Sequence, residues 1–323
     1  MVNAAVVGLG RWGQVLVNAA KGSDKIRFVA GCTGTPAKAV DFARSSGFDL
    51  LPDYAAVLAD PRVEAVVLAT PHTQHVEQVK AAAAVGKHVF CDKPFTLTKA
   101  SAADAVAACS AAGVKLAVGH NRRFLPGYVE LGQLIAGGDL GQVLQVEGAV
   151  TGSGAFSYAP DGWRAKPTES PAGGMTALGI HMVDALIGLL GPVKAVTALS
   201  WRRAIEIPID DTTAMLLHFA SGAAGTLVTS PATGQAWRIQ VYGTKGTAEM
   251  RGETQLIVSR IGAKPEVREY APVNKERAEL EAFADMVAHG AAYPVTDADA
   301  INGVSVLEQV ELSARAGRWL DVP

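Results

Sequence analysis

The chain lacks a dense set of cysteines, a block of like charge, an uninterrupted apolar run of membrane length and any low-complexity tract or internal repeat. Its three cysteines, Cys32, Cys91 and Cys109, are odd in number and have no Cys-x-x-Cys spacing. That pattern excludes a disulfide framework, leaves no metal site expected, and fits thiols acting as small packing groups in a reducing compartment. The most apolar stretch, residues 172–193, is interrupted by His181, Asp184 and several glycines, so no membrane span is expected. A net charge of −2 with scattered Lys and Arg offers no basic stripe to a phosphate backbone, so nucleic acid is not an expected partner. The first residues lack a basic leader and a small-residue cleavage site. They read better as a first strand, and the chain is expected to be cytoplasmic.

What is present describes a folded protein: 323 residues, 49% hydrophobic and 19% charged, which is long enough for two domains. The first 120 residues alternate short apolar runs with Ala-rich amphipathic segments, the pattern of parallel strands joined by crossover helices. Strands are predicted at 3–8, 27–32, 65–69, 88–91 and 115–118, with helices at 12–22, 35–46, 54–59, 72–85 and 99–112. Gly22, Gly47, Gly86 and Gly113 stand where these helices should be capped. From about Gly141 the texture becomes alternating apolar and polar, with turn pairs such as Ser221-Gly222 and Lys245-Gly246, as in antiparallel sheet. Helices near 176–190, 274–288 and 297–316, then a terminal strand, interrupt that pattern. The expected fold is therefore an α/β Rossmann domain, a doubly wound parallel sheet over residues 1–120, followed by an α+β domain with a large, mainly antiparallel sheet over 121–323. The second domain is expected to hold substrate and to mediate assembly, since an uncovered flat sheet face is normally paired, so a homo-oligomer (dimer or tetramer) is expected.

The segment Gly8-Leu9-Gly10-Arg11-Trp12-Gly13 is a G-x-G-x-x-G that follows a predicted strand and opens a predicted helix. Gly8 permits a tight turn, Gly10 lets backbone approach a pyrophosphate and Gly13 lets helix pack on strand, while the helix N-terminus offers N–H donors to the anion. Dinucleotide binding follows. An NAD site usually places Asp or Glu at the end of the second strand to hold the ribose 2′-OH. Here that strand ends Cys32-Thr33-Gly34-Thr35, with Lys38 beyond. Two hydroxyls and an ammonium suit a 2′-phosphate, so NADP is expected ahead of NAD. Alternatively, Thr33 and Thr35 cap the next helix and Lys38 is solvated.

Around Gly86-Lys87-His88-Val89-Phe90-Cys91-Asp92-Lys93-Pro94 the sequence resembles the Gfo/Idh/MocA oxidoreductases, whose hallmark is an acidic-Lys-Pro triplet after a strand. Their usual Glu is Asp92 here. The resemblance continues through Thr70-Pro71-His72 with His75, Gly119-His120-Asn121-Arg122-Arg123-Phe124, Gly162-Trp163-Arg164, Gly173-Gly174 leading to Gly179-Ile180-His181-Met182-Val183-Asp184, Val241-Tyr242-Gly243, and Gly317-Arg318-Trp319. It implies hydride transfer between NAD(P) and a carbon bearing hydroxyl or carbonyl, commonly in sugars and polyols. It also implies that Lys93 lies near both nicotinamide and substrate oxygen, and that Thr70, Pro71, His72, His75, Asp92 and Arg122 lie on the cofactor side. A lysine donor at the reacting oxygen stabilises the alkoxide-like charge that develops there.

The sequence departs from the family at one catalytic position. An Asp often stands four residues before the His, sharing its helical face, whereas this chain has Ala177 before His181. His181 can still move the proton, with Asp184 as a candidate to orient its ring. Tyr158, Trp163, Arg164 and Asn121 are candidates for substrate contact, since aromatic faces and planar donors suit a polyhydroxylated or carboxylated small molecule. Two other readings stay open: Ala177 makes room for a less polar ketone or aldehyde, or the chain is a dinucleotide-binding regulatory protein without turnover.

Overall fold

A computed structural model describes residues 1–323 and divides them into two compact units. The first comprises Met1–Thr96, Ala100–Asn121 and Asn274–Asp297, and the second Leu97–Lys99, Arg122–Val273 and Ala298–Pro323.

In the first unit, strands β1 (Val2–Val7), β2 (Ile26–Cys32), β3 (Asp49–Leu50), β4 (Ala65–Leu68), β5 (His88–Asp92) and β6 (Leu116–Gly119) form a parallel sheet in the order β3-β2-β1-β4-β5-β6. Helices α1 (Arg11–Ala19), α2 (Val40–Ser46), α3 (Tyr54–Ala59), α4 (His75–Ala84) and α5 (Lys99–Ala111) make the crossovers. All four residues of β4 are buried, as expected of a continuous apolar run covered on both faces. The glycines expected as caps all take positive φ, from +66° at Gly113 to +76° at Gly47, where a side chain would be strained. The two-residue β3 escapes the sequence pattern because it is too short to show a period.

The second unit adds α6 (Pro126–Ala136), β7 (Val143–Thr151), α7 (Ile180–Leu190), β8 (Val193–Trp201), β9 (Thr212–Phe219), β10 (Ala224–Ser230), β11 (Ala236–Gly243), β12 (Gly246–Arg251), β13 (Gln255–Arg260) and β14 (Glu266–Glu269). Helices α8 (Lys275–His289) and α9 (Asp297–Ala316) and strand β15 (Leu320–Asp321) follow. The nine strands run β14-β13-β12-β11-β7-β10-β9-β8-β15, antiparallel except for the parallel pair β7–β10. One face carries the core, in rows such as Ala198–Met215–Leu227–Gly148–Ile239–Met250. Helix α6 is not anticipated by the sequence pattern, and Pro126 at its first position starts it.

A single cut at 120/121 does not describe the division, because α8 packs with the first unit although it follows eight strands of the second. Its Phe283 is fully buried and meets Phe90 edge-on at 5.7 Å. Its polar side bonds the loop after α1: Glu281 accepts from Ser23 at 2.8 Å, and Asp285 pairs with Lys25 at 2.8 Å. No helix is long and apolar enough to cross a membrane, and all three cysteines are free and buried.

Candidate active site

In the first unit the sheet order reverses between β1 and β4, the position outside whose carboxyl ends open α/β sheets bind ligands. Gly8 follows β1, Thr70 follows β4 and Lys93 follows β5, all at that end. The glycine loop has the shape a pyrophosphate needs. Gly8 has φ +95°, and a Cβ there would lie 2.6 Å from the Ala69 carbonyl oxygen; one on Gly13 would lie 1.9 Å from that of Gly8. These two glycines make the turn. Gly10 differs, because a Cβ there would meet nothing within 4 Å, so its surface is open to a ligand. No side chain caps the start of α1, and the buried indole Nε1 of Trp12 has no hydrogen-bond acceptor. A dinucleotide therefore fits: its pyrophosphate would take the open helix end, and a polar atom could meet the indole N–H.

At the end of β2, Thr33 is half-buried while Gly34, Thr35 and Lys38 are exposed. Burial, aided by the Asp53 carboxylate, pushes the Cys32 thiol up to about 11. The segment 32–38 is thus without negative charge at neutral pH. Residues 36–38 form a short 3-10 turn with no side-chain cap from Thr35, so that hydroxyl is not used as a cap.

Half-buried Lys93 leaves β5 directly after Asp92, and its turn is anchored by His75. The His75 ring is fully buried, with Nδ1 3.1 Å from the carbonyl oxygens of both Pro94 and Phe95 and Nε2 3.1 Å from that of Thr70. His75 is expected on the cofactor side; its enclosed ring joins the loop after β4 to the turn after β5, at Pro94 and Phe95. Thr70 donates to Gln78 at 2.6 Å. Pro71 precedes the turn on which nearly buried His72 sits, 5.9 Å from the His75 ring. Asn121, a candidate for substrate contact, is 2% exposed and donates to Glu276 on α8 at 3.0 Å. Glu276 is invisible to sequence reasoning because it lies 155 residues from its partner.

In the second unit, His181 is nearly buried in the first turn of α7. The preceding residues, Met175–Gly179, form a π turn instead of continuing the α-helix. The wider turn keeps Ala177 about one turn before His181 and sets the path by which the chain enters α7. The cause lies in packing beneath it. Ala172 and Gly173 take φ +49° and +45°, and a Cβ on Gly173 would lie 1.7 Å from the Asp210 carbonyl oxygen. Thr213 and Thr229, rising from β9 and β10, donate to the carbonyls of Ala172 and Gly174 at 3.3 Å. Buried Thr176 gives its hydroxyl to the Pro171 carbonyl. Asp184, expected to orient His181, forms a bidentate pair with Arg123 at 2.9 and 2.8 Å.

Tyr158, Trp163 and Arg164 lie together in a segment of short 3-10 turns, with the Arg164 guanidinium 4.1 Å over the Trp163 ring. Tyr158 packs on a small cluster of Ala165, Ile207 and Ile209. Arg122, expected beside the cofactor, pairs with Glu253 at 3.2 Å and lies 5.1 Å over the Trp237 ring.

Residues 2–120 match the family model described as "Oxidoreductase family, NAD-binding Rossmann fold", and residues 128–249 match the GFO/IDH/MocA C-terminal domain. The chain belongs to the Gfo/Idh/MocA oxidoreductases. It is 30% identical to scyllo-inositol 2-dehydrogenase (NAD(+)) of Bacillus subtilis, over 94% of this chain and 92% of that one. It is 29% identical to 2,7-anhydro-N-acetylneuraminate hydratase of Escherichia coli, over 82% and 71% of the two chains. The solved aldose-aldose oxidoreductase of Caulobacter crescentus, complexed with glycerol, superposes with a TM-score of 0.88 at 27% identity over 99% of both chains. Within this Gfo/Idh/MocA chain, Arg123 and Glu276 are the two site-adjacent residues the sequence leaves without a role. Arg123 stands in a quoted motif, but nothing local to it reveals Asp184 as its partner 61 residues away.

Proposed function

We propose that the enzyme transfers hydride between a nicotinamide dinucleotide and the hydroxyl- or carbonyl-bearing carbon of a sugar, keto-sugar or polyol, with NADP ahead of NAD. The observation that carries this reading is the placement of Lys93 at the carboxyl end of β5, in the same sheet whose switch point bears the open glycine loop. The bound cofactor supplies or takes up the hydride. Lys93 donates a hydrogen bond to the substrate oxygen and stabilises the charge that grows there as the carbon–hydrogen bond breaks or forms. His181 accepts the hydroxyl proton on oxidation and returns it on reduction. Tyr158, Trp163 and Arg164 bind the rest of the substrate, the stacked Arg–Trp pair offering a flat face and a donor edge to a polyhydroxylated molecule. The names of the inositol dehydrogenase and aldose oxidoreductase relatives support that substrate class.

The preference for NADP rests on the uncharged end of β2 and on Thr33, Thr35 and Lys38. The Bacillus relative is named for NAD(+), so the segment 33–38 is the part of the reading most open to test. Turnover is measured by nicotinamide absorbance with scyllo-inositol, myo-inositol, aldoses and their keto forms. Activity on one of these that is lost in Lys93→Met supports the reading. Tight dinucleotide binding with no turnover across the panel favours the regulatory alternative.

The open face of the nine-stranded sheet supports self-association. Leu199, Leu216 and Val228 are 58%, 46% and 48% exposed, around a shallow cavity of about 450 Å³. The same face continues into the ion pairs Arg238–Glu147 and Arg251–Glu249. Because it carries both signs beside an apolar centre, a second copy turned through a two-fold axis can match it. Sedimentation of wild type against Leu216→Glu distinguishes oligomer from monomer.

A further inference from the structure

We infer that the buried Arg123–Asp184 pair is the positioning device for His181, an inference that rests on His181 being the proton-transfer group proposed above. Asp184 lies on α7, three residues after His181, and Arg123 reaches it from the 3-10 turn 121–124 that precedes α6. Asp184 is 2% and Arg123 6% exposed at the side chain, with Nε donating to Oδ2 at 2.9 Å and Nη2 to Oδ1 at 2.8 Å. Nη2 also lies 3.4 Å from Asp299 of α9, and Tyr128 of α6 donates to the Ala185 carbonyl at 2.9 Å. A Cβ added to Gly188 would lie 2.1 Å from Arg123 Nη1 and 2.4 Å from the Tyr128 hydroxyl, so the guanidinium lies flat on α7 where a side chain is missing. Residues 181, 184 and 188 follow the i, i+3, i+7 spacing of one helical stripe.

The clamp acts together with the other end of the helix. The turn before His181 is the π turn of Met175–Gly179, which Thr213 and Thr229 tie to the sheet. Asp184 lies one turn further on, so its clamp fixes the rotation of the same helix from the other side of the ring. A rigid guanidinium fork holding Asp184, with Gly188 beneath it, fixes the helix against rotation about its axis. Ordinary apolar packing on this stripe would resist separation of the helices but would define rotation less sharply.

The test replaces the pair by an apolar one of similar volume, Arg123→Met with Asp184→Leu, so that neither charge is left buried alone. Arg123→Lys is a second variant that keeps the charge and loses the fork. The first readout needs no substrate: side-chain nitrogen resonances of histidine-labelled protein, with His181 assigned through His181→Gln. Arg315→Gln, at an exposed pair on α9, is the control. The expected result is a cooperatively folded double variant in which the His181 signals shift or broaden and its titration midpoint moves, with Arg123→Lys partly affected and Arg315→Gln unchanged. Where turnover is found, kcat should fall at least about tenfold with dinucleotide Kd unchanged, and the loss should be absent on a His181→Ala background. A double variant that folds with unaltered His181 resonances overturns the inference, whether or not a substrate has been found. If the double variant does not fold, Arg123→Lys decides by the same signals. Shifted His181 signals in a protein that turns over none of the sugars would leave the positioning role standing and count against the proposed reaction alone.

Discussion

The two sheets of this protein solve the same problem in opposite ways. In the first unit the strands are covered on both faces, β4 is buried throughout, and the functional groups come from loops at one end of the sheet. In the second unit, strands such as β9 alternate buried and exposed, one face holds the core, and His181 stands on a helix packed over it. The first unit's chemistry is therefore largely a matter of backbone: glycines that allow a turn, free N–H groups at a helix end, and a histidine tied to three carbonyls. The second unit's chemistry depends on side chains whose directions are set by distant partners. Changes to the first should act on cofactor binding and charge stabilisation; changes to the second should act on proton transfer and specificity.

The largest effect that would sharpen this contrast is at Lys93. Lys93→Met should lower turnover by about 10³-fold while leaving dinucleotide affinity nearly intact, as loss of a charge-stabilising or proton-handling group does. Titration calorimetry beside steady-state kinetics would show it, and an equal loss in both would make Lys93 a binding residue only. Next is Phe283→Ala, which should cost about 3–5 kcal/mol by removing a fully buried ring. Hydrogen exchange should then show lost protection in β1, β2 and β5, against which α8 packs. Loss confined to β8–β10 would contradict the assignment of α8 to the first unit.

The glycine loop offers a contrast inside one motif. Gly13→Ala should destabilise the fold by about 1–3 kcal/mol, since its Cβ collides with backbone. Gly10→Ala should leave the melting temperature alone, because its Cβ has open space. It should weaken dinucleotide binding roughly ten- to a hundredfold, the worth of about one charged hydrogen bond. Thermal melts with and without NADPH separate the two.

The smallest effect is at Asp211, in the loop before β9. It is buried, which disfavours its charge, yet its carboxylate accepts from the backbone N–H groups of Arg203, Ala204 and Ile205 and from the Thr212 hydroxyl. The net result is a pKa held below the ordinary carboxylate value. A carboxyl more acidic in the folded state stabilises the fold above its unfolded pKa, and the contribution fades as pH falls through the folded one. Asp211→Asn should thus lower stability by about 1–2 kcal/mol at neutral pH, with the gap to wild type shrinking below about pH 4. A gap independent of pH would assign the loss to packing.

How much was legible in the sequence follows the same division. The parallel strands, the glycine loop and the cap glycines could be read because each leaves a local mark: a buried run, a spacing, a residue whose φ must be positive. The residues around His181 could not. Ala177 and His181 have helical spacing, but the sheet beneath them imposes a π turn through Gly173, Thr213 and Thr229, and no local pattern encodes those contacts. His75 and Asp184 were recognised as members of motifs, yet their contacts with Pro94 and Arg123 join segments that the sequence lists far apart or in other elements. The return of α8 to the first unit is of the same kind, since its apolar face carries no sign of which sheet it covers.

The measurement that tests the central claim most directly is calorimetric titration of NADPH and NADH into the purified protein and its Thr33→Asp variant. Tight NADPH binding with weaker NADH binding, levelled or reversed in the variant, is the predicted result. Binding of neither dinucleotide by a folded protein would contradict the account.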